Sequence, residues 1–226
     1  MRHRAFAGRI SLAFIVAALA VAIPTPWRGT AQSGTPSPVA SPAASPTAGT
    51  VLYAADDTGG LAAWPLAGGW RHSQRHGHGV LINDGTGGEL VVPYRVGVAA
   101  YAVEADIQVV RATAPGAEFG LTARDGGVRA GVSAGGAVSL AVGDAAAGGV
   151  APASGTIPPV AGGDVLEWHT YRLEVTDDGI RFSVDGSPVT TVGRTDPAIA
   201  GVGGQTGVWA AAGIQLMLDR FTVIAL

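Results

Sequence analysis

Cysteine and lysine are both missing from the 226 residues. Without cysteine there is no disulfide, thiolate metal site, thiol nucleophile or lipidated N-terminal cysteine, so stability has to come from core packing. All 14 strong bases are arginine, which reads as genome composition rather than a functional device. Aromatic residues are few, at 6%. From Val51 onward no segment keeps a 3.6-residue apolar period over ten residues, so helices are expected to be scarce. No Gly-x-Ser-x-Gly elbow, phosphate loop or dinucleotide fingerprint occurs, and nucleotide chemistry is set aside.

Long apolar runs are also lacking. The longest, Ile10 to Ile23, is about 14 residues and ends at Pro24 and Pro26, whereas a bilayer span needs roughly 20. It follows Arg2, Arg4 and Arg9 and precedes Gly29-Thr30-Ala31, the three parts of a secretory signal. Residues 1–31 are therefore read as a leader cleaved after Ala31, and the protein as extracellular or attached to the cell surface. Membrane association is expected only if the leader stays on. Residues 32–50, rich in Pro, Ser and Thr, have no large apolar core to bury and read as an extended tether with a reach of roughly 55 Å. Losing Arg2, Arg4, Arg9 and Arg28 leaves 10 arginines against 17 acids, a charge near −7, which excludes nucleic acid as a natural partner.

Residues 51–226 show short apolar alternations cut by Gly, Asp and Pro. In Tyr101 to Arg111, Val103, Ala105, Ile107 and Val109 point one way and Glu104, Asp106 and Gln108 the other. Further strands are expected at Glu118 to Ala123, Val128 to Val132, Ala137 to Val142, Glu167 to Thr176, Ile180 to Val184, Val189 to Val192, Gly207 to Ala211 and Ile214 to Ile224. An Asp178-Gly179 turn would pair Val175 with Phe182, Leu173 with Val184 and Arg172 with Asp185, and Asp185-Gly186 offers a second turn. Ala145 to Ala147 read as a loop. Near the C-terminus Ile214, Leu216 and Leu218 hold one phase and Phe221 and Val223 the other, so a β-bulge is expected at Asp219-Arg220. The fold class is all-β, a two-sheet antiparallel β-sandwich.

The segments YAVEADIQVV, FGLTARDG, EWHTYRLEVTDDGIRFSVDGSPV and GVWAAAGIQLMLDRFTVI, in that order, resemble the concanavalin A-like lectin/glucanase superfamily. The likeness is greatest to laminin-G-like and keto-disaccharide-hydrolase-like jelly rolls. The resemblance implies a jelly roll with one concave and one convex sheet, whose members bind glycans, cleave them or act as adhesive modules. It also implies one structural calcium, since relatives often clamp their termini with an aspartate on the last strand and oxygens near the first. Asp219 and Asp56 or Asp57 stand in those places. Laminarinase-like relatives carry E-x-D-x-x-E or E-x-D-x-E on one strand; here Glu104-Ala105-Asp106 matches its start, but Gln108 and Val109 occupy the final position. A retaining glycosidase needs two carboxyls about 5 to 5.5 Å apart, which Glu104 and Asp106 on one face could approach, but the final Glu is missing, so no catalytic residue is assigned and these two are the first suspects for an enzyme.

The expected ligand-binding residues are Glu104, Asp106, Gln108, Arg172 and Trp168, polar groups beside a flat apolar ring. Trp64 and Tyr94 are further stacking candidates, while Trp70 and Trp209 read as core. The run Arg71 to His78 holds three histidines at metal-like spacing but reads as an exposed loop, and His169 as a packed or exposed single histidine. The expected function is a secreted, non-catalytic binding module for a glycan or other cell-envelope component. A glycoside hydrolase with carboxylates on the concave sheet is the competing expectation, and a structural envelope domain the third.

Overall fold

The computed structural model describes residues 45–143, 150–157, 167–193 and 203–226. The leader, most of the tether and the Ala145 to Ala147 segment lie outside them. Four strands precede the long central one: β1 (Val51–Ala55), β2 (Trp70–Arg75), β3 (His78–Asn83) and β4 (Gly88–Val96). Next come β5 (Tyr101–Ala112), β6 (Glu118–Ala123), β7 (Val128–Ser133), β8 (Ala137–Val142) and β9 (Val150–Thr156). The last five are β10 (His169–Val175), β11 (Gly179–Val184), β12 (Ser187–Gly193), β13 (Gly204–Ala210) and β14 (Ile214–Ala225). A 3-10 turn at Leu61–Ala63 is the only helical element among the described residues.

The strands form two antiparallel sheets. The larger has eight strands in the order β12-β11-β10-β5-β14-β3-β2, with β1 also paired to β14; the smaller has six, β4-β13-β6-β7-β8-β9. Alternation places Val103, Ala105 and Ile107 of β5, Leu173 of β10, and Leu216, Leu218, Phe221 and Val223 of β14 against Phe119, Leu121, Val132 and Leu140 of the smaller sheet, all buried. This inter-sheet layer is the core that an all-β chain without disulfides requires. Pairing begins within the segment expected to be an extended tether: the Gly49 amide donates to the Ala225 carbonyl at 2.8 Å, two residues before Val51.

The expected bulge is present. Leu218 pairs with Ile107 and Arg220 with Asp106, leaving Asp219 as the extra residue. The β10–β11 hairpin differs from its expected register by two residues: Val175 faces Ile180, Leu173 faces Phe182 and Tyr171 faces Val184. Thr176 closes the turn, its amide and hydroxyl donating to the Gly179 carbonyl at 2.9 and 3.0 Å, so Asp177-Asp178 turn the chain and Gly179 opens the strand. Glycine is required there because a Cβ would lie 2.4 Å from the Val192 carbonyl oxygen of β12. A two-residue slip keeps every side chain on its face, but Arg172 now faces Ser183. The displaced Asp185 instead accepts from the Thr170 amide at 2.9 Å and meets His169 Nδ1 at 2.7 Å.

The segment expected to be a loop, Arg71 to His78, is instead the β2–β3 hairpin, turning at His76-Gly77 with φ of 52 and 88. Its strand character was masked because β2 is an edge strand that sends only Trp70 into the core, its other residues being polar. Trp209 also departs from expectation. It is buried, but on the outer face of the smaller sheet, where Gly131 gives it room: a Cβ there would come within 2.8 Å of the indole. Arg129 stacks over the ring at 4.2 Å and the indole N–H donates to the Ala130 carbonyl at 3.2 Å.

Candidate functional site

The outer face of the larger sheet gathers the residues expected to bind ligand. Pairing sets Arg172 beside Glu104 and Thr170 beside Asp106. Continuing that register by one residue brings Trp168 level with Gln108. On the other side of β5, Thr222 faces Glu104, Arg220 faces Asp106 and Met217 faces Gln108. The face thus carries three cross-strand rows, each built by the period-two alternation of β10, β5 and β14.

The first two rows are charge-compensated. Arg172 reaches Glu104 at 3.1 Å and Glu174 at 2.8 Å, and Arg181 reaches Glu174 at 3.4 Å. Arg220 forks onto both oxygens of Asp106 at 2.8 and 3.2 Å, and the Thr170 hydroxyl donates to the same carboxylate at 2.7 Å. The Asp106 hydrogen bond holds the Arg220 guanidinium above its ordinary range. Glu104 and Asp106 therefore share a face without forming an isolated carboxyl pair, since each is bound to its own arginine.

The third row is different. Arg75, from the edge strand β2, reaches across β3 and β14 to donate to the Gln108 side-chain oxygen, with its Nη1 3.7 Å from the Met217 sulfur. Beside it lies a depression of about 190 Å³ lined by Arg75, His76, His78, Val80, Trp168 and Asp219. Trp168 is 38% exposed. The bulge puts Asp219 here in addition to Arg220, re-aiming one carboxylate into the pocket. Burial first, then the neighbouring Asp57 and Asp106 charges, push the Asp219 carboxyl up from its ordinary range. His78 Nδ1 meets Asp57 at 2.7 Å, and that hydrogen bond raises the imidazole.

Of the three aspartates expected at a calcium site, Asp57 and Asp219 come together around His78. Asp56 does not join them: its carboxylate accepts the Thr58 amide at 3.0 Å and hydroxyl at 2.6 Å, closing its own turn. Among the described residues no three His, Cys, Asp or Glu side chains are placed to hold a metal ion. Calcium takes six to eight oxygens, backbone carbonyls among them, of which Asp57 and Asp219 would supply only a part.

Glu104, Asp106, Gln108 and Arg172, expected among the ligand-binding residues, stand on one face with Trp168 at its edge, and Arg75, His78 and Arg220, not expected there, join them. The signal for Arg220 was the phase slip it adjoins; for Arg75 and His78, a hairpin reading of their run would have been required. Trp64 is core, its indole donating to the Tyr53 hydroxyl at 2.7 Å and packing edge-on to Phe221, and Tyr94 stacks on Tyr53.

No protein-family model and no curated protein matches the sequence. Solved structures do share its shape. A Bacillus subtilis protein of unknown function with a galectin-like fold superposes at TM-score 0.59 and 16% identity, covering 79% of this chain and 97% of that one. A Crh5 transglycosylase in complex with NAG superposes at 0.57 and 14%, covering 80% and 87%. A structure from work on endo-acting O-glycanases of prominent human gut microbiota gives 0.53 and 15%, covering 78% and 100%. At these identities the likeness is one of fold alone, the two-sheet antiparallel β-sandwich.

Proposed function

We propose that this is an exported, non-catalytic glycan-binding module that seats a sugar ring against Trp168 on the outer face of the larger sheet. The observation that carries it is Trp168 itself, the one aromatic among the exposed large hydrophobic side chains described. Its flat ring stands beside Arg75, His78 and Asp219, an apolar platform with convergent polar groups of the kind that orients a polyhydroxylated ring. The depression is small against the ~300–1,000 Å³ of enclosed ligand sites, which suits one ring held at a surface. Relatives in fold include proteins that act on glycans, an argument by analogy that adds weight without naming a ligand.

A glycosidase that uses Glu104 and Asp106 as its carboxyl pair is disfavoured by the same face. A general acid is kept protonated by apolar or like-charged surroundings, whereas Glu104 and Asp106 each sit against an arginine. Export rests on the leader, and N-terminal sequencing of protein recovered from the medium is expected to begin at Gln32; a retained Met1 would contradict cleavage.

Calorimetric titration of the purified protein against a polysaccharide panel tests the site. At least one glycan is expected to bind, and Trp168→Ala to weaken it roughly tenfold, about 1.4 kcal/mol, with an unchanged melting temperature as befits an exposed position. Equal affinity in the variant would remove Trp168 from the site, and no binding by the native protein would overturn the function.

A further inference from the structure

We infer that the sugar taken at the Trp168 site is anionic, a uronate whose carboxylate is received by the Arg75 guanidinium. This rests on the glycan-binding proposal and narrows it to a chemical class. Six arginines stand at outward positions of the larger sheet: Arg71 and Arg75 on β2, Arg111 on β5, Arg172 on β10, Arg181 on β11 and Arg220 on β14. Three are neutralised by carboxylates: Arg172 by Glu104 and Glu174, Arg181 by Glu174, and Arg220 by Asp106. Arg71, Arg75 and Arg111 are not paired in this way, and of the three Arg75 is the one that lines the Trp168 depression. Among the described residues it has no carboxylate within ion-pair distance; its partners are the Gln108 amide oxygen and the Met217 sulfur, both uncharged.

Ordering so long a side chain costs rotamer entropy, and here it spans two strands for neutral partners. Both contacts use Nη1, so Nη2 and Nε keep donors of the planar fork that matches a carboxylate in two-point fashion. The neutral partners fix the fork without cancelling its charge. Arg75 and Trp168 line the same depression, so a ring lying on the indole can turn its carboxylate to the guanidinium.

The other groups around the depression give it a direction. His78, held by Asp57, adds a donor near Arg75. Asp219 forms an acidic wall suited to accepting ring hydroxyls, which gives the ring one orientation rather than two. The domain's net negative charge opposes an acidic polymer at long range, but that repulsion is screened beyond about 8 Å at physiological ionic strength, whereas a two-point contact at the guanidinium is not.

The test uses the purified protein and a panel of polygalacturonate, alginate and hyaluronan, each intact and with its carboxyls methyl-esterified, together with neutral and sulfated polysaccharides. At least one intact uronate is expected to bind, and esterification to weaken it at least tenfold, a readout that needs no variant. Arg75→Gln, with folding checked by its melting temperature, is expected to bind the intact and esterified forms equally, and Arg75→Lys to restore part of the preference. Trp168→Ala is expected to weaken both forms. Binding that ignores esterification, or is confined to neutral or sulfated glycans, would overturn the anionic assignment and leave the glycan-binding proposal standing. Silence across the whole panel would overturn both.

Discussion

Deletion of Met217 is expected to cost the domain most of its stability, whereas deletion of Asp219 leaves the sandwich intact. β14 is the hub of the larger sheet, paired with β5 along its length and with β3 and β1 on its other side. Its inward set changes phase at the bulge: Ile214, Leu216 and Leu218 before it, Phe221, Val223 and Ala225 after it, every one buried. Asp219 is the extra residue, so without it Leu218 and Phe221 stand two apart, both still face inward, and the pairs Leu218–Ile107, Arg220–Asp106 and Phe221–Ala105 are kept. Met217 lies in the regular stretch, and its loss breaks the alternation. If the second half shifts to follow the first, Leu218 turns to solvent and Asp219 enters the core; if the first half shifts to follow the second, Ile214 and Leu216 are expelled and Gln215 enters. Each large side chain lost from the core costs about 1.5–3 kcal/mol, and the buried polar group that replaces it adds to that. Against a total stability of about 5–15 kcal/mol, either arrangement removes much of what holds the domain together. Thermal melts followed by circular dichroism separate the two variants, and a native-like melt for the Met217 deletion, or loss of folding in the Asp219 deletion, would mean that Asp219 is not the extra residue of the strand.

The bulge was legible because a period-two signal shows its own phase errors. Where both faces of a strand could be assigned, as in β5, the outward set was readable as a site, and Glu104, Asp106 and Gln108 do share one face with Arg172. Legibility failed where the signal was not local. β2 is an edge strand whose polar residues face solvent on both sides, so its sequence looks like a loop. The role of Gly179 depends on the approach of β12, which no turn rule contains. Arg75 meets Gln108 from 33 positions away across two intervening strands, a contact set by sheet order alone. Asp56 and Asp57 are adjacent in sequence, yet one carboxylate closes its own turn with Thr58 and the other holds His78; only backbone direction separates them. The resemblance to concanavalin A-like jelly rolls carried the fold because strand order is a global property, and it left the site to be argued from its residues.

Phe221→Ala is expected to remove about 3–5 kcal/mol of stability, the range for deleting a buried aromatic and leaving a cavity. Phe221 is wholly buried, facing Ala105 on β5 and Ala55 on β1, two side chains too small to fill the space it would leave. Trp64 packs edge-on against it, ring centres 5.3 Å apart, and is itself tied to Tyr53 by the 2.7 Å hydrogen bond, so the indole is not free to collapse into the void. At roughly 2–4 °C per kcal/mol for a domain of this size, the melting temperature should fall by about 6–20 °C. The preceding residue, Arg220, points to the opposite face and is fixed there by Asp106, so glycan affinity measured well below the new melting temperature should stay within about twofold of native. A loss below about 1 kcal/mol would show that β1 and the Trp64 turn can close over the gap. A large loss of affinity in a folded variant would show instead that the inner face of β14 governs the geometry of the outer one, and that the two faces are not energetically separate.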